Sequence, residues 1–121
     1  MEGFEDAIAK KLELKKEKLI NVLKKYPNEI SLFRILSLDD EKKINLKEPG
    51  SHYSMDLQNL IKNYNFLKSK RYFLLTVMAP VELIDVDQTV ENNLYYPNEK
   101  EITLKNKGFG SEVISVQELK F

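Results

Sequence analysis

Arg71-Tyr72-Phe73-Leu74-Leu75-Thr76-Val77-Met78-Ala79, followed by Pro80, is the stretch on which the fold turns. Apolar side chains fall on both alternating faces. A strand of this kind is covered on both sides and belongs inside a sheet. Pro80 has no N–H to give a ladder and ends the strand.

Upstream, Ile30-Ser31-Leu32-Phe33-Arg34-Ile35-Leu36-Ser37 is a second apolar run and predicts another buried strand. Arg34 interrupts it, and an arginine in an apolar strand needs a partner. Asp39 to Lys43 reads as a polar connection, and Pro49-Gly50-Ser51 as a turn. His52-Tyr53-Ser54 predicts a short strand. Asp56 predicts the N-cap of a helix carrying Leu57, Leu60, Ile61 and Tyr64 on one side. Farther upstream, Phe4, Ile8, Leu12, Leu19, Val22, Leu23 and Tyr26 form one stripe at helical spacing, and Pro27 ends that helix.

Downstream, Val81 to Val86 is expected to be extended, and Asp87 to Asn98 a polar loop with two tyrosines. Glu101 to Leu104 reads as a strand, Asn106 to Gly110 as a turn, and Glu112 to Leu119 as an alternating strand. The last two strands are expected to pair as a hairpin. The order is helix, strand, helix, then mostly strands, which predicts an α+β fold. One domain is expected over 1–121, with an N-terminal amphipathic helix over 1–27 and an α+β core over 28–121.

Composition narrows the functions. The 121 residues include 19 Lys+Arg and 19 Asp+Glu, so whole-chain charge points to neither a nucleic acid nor a membrane surface. There is no cysteine and one histidine, which excludes disulfides, thiolate metal sites, a cysteine nucleophile and a multi-histidine metal site. No apolar run is long enough to span a bilayer. The acidic start and lysine-rich first helix read unlike a signal peptide, so a cytoplasmic location is the default expectation.

Two glutamates one residue apart, Glu99 and Glu101, sit in Asn98-Glu99-Lys100-Glu101-Ile102-Thr103-Leu104. In a strand they share a face, where like charges repel. Read as surface design, they are an exposed strand edge flanking Lys100. Read as chemistry, they suit a site that holds a sugar hydroxyl and stabilises positive charge.

Taken in order, the motifs resemble the Arg-Ser-Glu class of ADP-ribosyltransferases. The likeness runs over Leu32-Phe33-Arg34, over Gly50-Ser51-His52-Tyr53-Ser54-Met55-Asp56, and over Asn98 to Leu104, with Gly108 to Leu119 similar to the family's closing strand. The resemblance implies NAD bound between two small sheets, with ADP-ribose transferred to a macromolecular acceptor, expected to be a protein. It implies that Arg34 holds an NAD phosphate, for which a planar guanidinium suits. Ser54, with Ser51 as the lesser candidate, would support the nicotinamide side and the catalytic glutamate. Glu101 would bond the ribose hydroxyl and stabilise an oxocarbenium-like transition state, and Glu99 would orient the acceptor. His52 and Tyr53 would lie near the nicotinamide. Ile35 stands where the family often has glycine, and Ser54 replaces the common Ser-Thr-Ser. The resemblance therefore covers both an active enzyme and a degenerate relative. Small self-contained members of this kind are typical of toxin, phage or mobile-element genes.

The alternative is a non-enzymatic α+β module that binds RNA or a protein. Its surface would be the lysine-rich first helix together with Tyr53, Tyr64, Tyr72, Tyr95 and Tyr96. Nucleic acid is the less favoured partner, because a lysine-rich helix face is usually a solvated surface and the tyrosines are more simply core and rim.

Overall fold

A computed structural model describes residues 3–95 and 101–120. The chain opens with α1 (Gly3–Leu23) and β1 (Glu29–Ser37), followed by β2 (His52–Ser54) and α2 (Leu57–Asn63). It continues through β3 (Tyr72–Pro80), α3 (Val86–Tyr95), β4 (Glu101–Thr103) and β5 (Glu112–Leu119). The five strands form one antiparallel sheet in the order β4-β2-β1-β3-β5, so the fold is α+β. Among the described residues no helix is long and apolar enough to cross a membrane.

The apolar run around Leu75 lies inside the sheet, as its two-faced pattern predicts. β3 pairs with β1 from Tyr72↔Ser37 to Pro80↔Glu29, and its other edge carries β5. Phe73, Leu75, Val77 and Ala79 face one core with Leu32, Ile102, Leu104 and Leu23. Leu19 and Leu23 bring the end of α1 into that core, while Lys16 pairs with Asp87 of α3 at 3.0 Å. Tyr72, Leu74 and Ile35 face the opposite side, where Leu57, Leu60 and Tyr64 from α2 and its end cover them. Asp56 caps α2 as expected, accepting from the Asn59 N–H at 3.0 Å.

Two expectations are corrected. Val81 to Val86 is not a strand, and 86–95 is not a loop. A 3-10 turn over Val81–Leu83 leads into α3, which takes the last residue of the expected extended piece, Val86, and most of the expected polar loop. Asp85 starts this helix, its Oδ1 accepting from the Gln88 N–H at 3.1 Å. The predicted hairpin of the last two strands does not form either. β4 pairs with β2 at one edge of the sheet and β5 with β3 at the other. The left-handed residues Asn106, Lys107 and Gly108 turn the chain between them.

Candidate functional site

β1 and β2 are registered by a single pair, Phe33↔Ser54, and β2 continues the row to Glu101 on β4. Residues paired in this way share a face. Phe33, Ser54 and Glu101 thus stand side by side across three strands. Beyond that pair β1 and β2 part, and a cavity of about 270 Å³ opens there. Its walls include Arg34, His52, Ser54, Asn59, Tyr64 and Glu101.

Arg34 alternates with Phe33 along β1 and also lines the cavity. Its Nη1 donates to the His52 carbonyl at 3.0 Å, and its guanidinium lies 5.9 Å from the centre of the Tyr53 ring. The partner of this strand arginine is therefore a carbonyl and a ring. Gly50 closes over it with φ +125°, and a β-carbon there would stand 2.6 Å from the Arg34 Cζ. The turn at Gly108 backs Gly50 in turn, and the Gly50 N–H donates to the Lys107 carbonyl at 2.9 Å.

Glu101 is mostly enclosed, with 16% of its side chain exposed. Its Oε2 accepts from three donors: His52 Nδ1 at 2.8 Å, Asn92 Nδ2 at 2.7 Å and Thr103 Oγ1 at 2.8 Å. An ionised carboxylate only accepts, so His52 carries its proton on Nδ1. Ser54 lines the cavity, but its hydroxyl closes a local turn, donating to the Asp56 carbonyl and accepting from the Asp56 N–H, both at 3.1 Å. Ser51 is not among the cavity residues; its carbonyl accepts from the Leu104 N–H at 2.7 Å.

Tyr53 is only 3% exposed and donates to the Gly50 carbonyl at 2.8 Å. Burial pushes its phenol up to about 12, with Arg34 pulling the other way. It supports Arg34 from within the core. Tyr64 stands at the cavity wall, and burial raises its phenol, with Tyr72 adding to the shift and Arg34 opposing it. The tyrosine platform of the binding-module reading is accordingly broken up, since Tyr53 and Tyr72 are core residues.

Of the six site residues expected from sequence, five line this cavity: Arg34, His52, Tyr53, Ser54 and Glu101. Glu99 lies outside the described residues. The sequence reading missed Asn59, a cavity residue, and Asn92, which holds Glu101. The spacing Asp85-x-x-Gln88, an N-cap followed at the third position by glutamine, is the signal that would have revealed α3 and with it Asn92.

Two buried polar atoms lack a hydrogen-bond partner among the described residues, Arg34 Nε and Asn59 Oδ1, and both belong to cavity residues. Buried polar groups are nearly always paired, and these two are the cavity atoms that a bound molecule or water would satisfy. The volume lies near the small end of ligand pockets, about 300–1,000 Å³. The two-sheet cleft implied by the resemblance is replaced here by the parting of two strands within one sheet.

Fold and site define a class: a small α+β domain with a ligand-sized cavity between adjacent strands of an antiparallel sheet. No protein-family model matches the chain, and neither does a curated protein or a solved structure.

Proposed function

We propose that this chain is a mono-ADP-ribosyltransferase-like domain that binds NAD and modifies a macromolecular acceptor, a protein by preference. The observation that carries the reading is that Arg34, Ser54 and Glu101, on three neighbouring strands, line one cavity. NAD, when bound, supplies a ribosyl–nicotinamide bond that breaks with the electron pair leaving on nicotinamide. Tyr64 and Phe33 offer a wall against which a planar ring packs. Arg34 supplies fixed positive charge beside the cavity, suited to a phosphate. Glu101 offers an ionised oxygen to a ribose hydroxyl and to the positive charge that develops on the sugar. In this reading Glu99 orients the acceptor and the protein acts in the cytoplasm, in the manner of small phage or mobile-element toxins.

The test is incubation of the purified protein with labelled NAD and a lysate of its native cells, beside Glu101→Gln. The expected result is a labelled product, or free nicotinamide, that falls on the order of 100-fold in the variant. Absence of both products, with no heat of NAD binding by calorimetry, would remove the enzyme. The binding module would then lead, tested by salt-dependent RNA binding lost on converting Lys15 and Lys16 to glutamate.

A further inference from the structure

The chemistry of Glu101 depends on which of its two oxygens is available. Oε2 is occupied by His52, Asn92 and Thr103. Among the described residues no donor reaches Oε1. Asn92 is itself held from behind. Its Oδ1 accepts from Gln88 Nε2 at 3.0 Å, and its Nδ2 also donates to Thr103 Oγ1 at 2.9 Å. Because Oδ1 already accepts from an amide, the orientation of the Asn92 side chain is settled, with its NH₂ toward the carboxylate. Gln88 and Asn92 are four residues apart and lie on one face of α3, so a single helix sets both.

We infer that Asn92 is the positioning residue of this site, pinning Oε2 so that Oε1 is the oxygen presented to the sugar hydroxyl of the ligand. This rests on the transferase reading above. A carboxylate with both oxygens free would rotate about its last torsion, and the working oxygen would be set only on binding. Three fixed donors on one oxygen remove that freedom before the ligand arrives. Thr103 lies on the same strand as Glu101, and His52 comes from the neighbouring strand with 58% of its side chain exposed, so both donors belong to the sheet itself. Asn92 comes from a separate helix and sets the carboxylate relative to α3.

The experiment compares wild type, Asn92→Ala and Asn92→Asp for nicotinamide release from NAD, with thermal melting alongside. Loss of a hydrogen bond to a charged group predicts a fall in kcat of roughly ten-fold for Asn92→Ala, with KM for NAD held within about two-fold. Asn92→Asp keeps the shape but replaces the donor by a second negative charge, so it falls further than alanine. A merely structural role predicts the reverse order, since aspartate fills the same space. Equal release by wild type and Asn92→Ala, or a loss confined to KM, overturns the assignment while leaving the transferase reading intact. A wild type that leaves NAD whole overturns the transferase reading, and this assignment with it.

Discussion

The two halves of the sheet are built on different terms. β1, β3 and β5 are nine, nine and eight residues long, and β1 and β3 pair along their whole length. β2 and β4 are three residues each, and a single registered pair joins β2 to β1. The long half carries the continuous core of Leu32, Leu75 and Val77, each fully buried. The short half carries the cavity and the carboxylate. Separation of this kind lets a site sit on strands too short to hold themselves, with the cost of their weak pairing borne by a neighbouring rigid ladder.

The sharpest way to break this comparison is to damage the long half. Leu75→Ala removes three carbon atoms from a closed core and is expected to cost about 3 kcal/mol, read by denaturant unfolding. The loss should appear as one cooperative transition. A small cost, or a transition confined to part of the molecule, would show that the long ladder is not what holds the domain together.

The short half is held by a different device. β4 is an edge strand, and α3 lies along its open side in place of a sixth strand. Asn93 gives Nδ2 to the Glu101 carbonyl at 2.8 Å and takes the Glu101 N–H on Oδ1 at 2.8 Å. One turn earlier, Thr89 Oγ1 accepts the Thr103 N–H at 2.9 Å, and the Asp85 N–H donates to the Thr103 carbonyl at 2.8 Å. Side chains four residues apart on a helix thus reproduce a strand ladder and close the edge. Asn93→Ala leaves two backbone groups of Glu101 without this partner and is expected to cost about 1–2 kcal/mol. Hydrogen exchange should quicken at β2 and β4 while β1 and β3 keep their protection. Uniform loss of protection across all five strands would join the halves that the comparison separates.

The same contrast explains what could be read from sequence. β3 and β1 announce themselves because their apolar runs are long, and Asp56 announces α2 because its cap is local. α3 is nearly silent. Val86 packs against the main core and Val90 is buried, but Thr89 and Asn93 between them work through hydrogen bonds that no apolar periodicity registers. β4 was found as a strand yet given the wrong partner, because its true neighbour lies about fifty residues earlier and the nearby β5 looked like a hairpin mate. Five of the residues that line the cavity are legible because residue type and strand order carry them. Asn92 is not, since its role exists only once α3 is folded against β4.

The smallest expected effect lies at the outer edge of the long half. Arg71 donates from Nε and Nη2 to the two carboxylate oxygens of Glu118 on β5, at 3.0 and 2.9 Å. These hydrogen bonds, with Lys120 alongside, hold the Glu118 carboxyl down from 4.5 to about 2. The folded value lies below the unfolded one, so the pair stabilises the domain fully above about pH 4.5 and loses that contribution as pH falls toward 2. Arg71 also donates to the Asp39 carbonyl, so Arg71→Met trims both contacts. The neutral variant Glu118→Gln removes the titrating group alone. Melting temperature against pH should therefore fall less steeply between pH 4.5 and 2 in Glu118→Gln than in wild type, the two proteins differing by a small amount at neutral pH, where the pair is fully formed, and converging in acid. Parallel curves for the two proteins would mean that the acid sensitivity of this domain resides elsewhere.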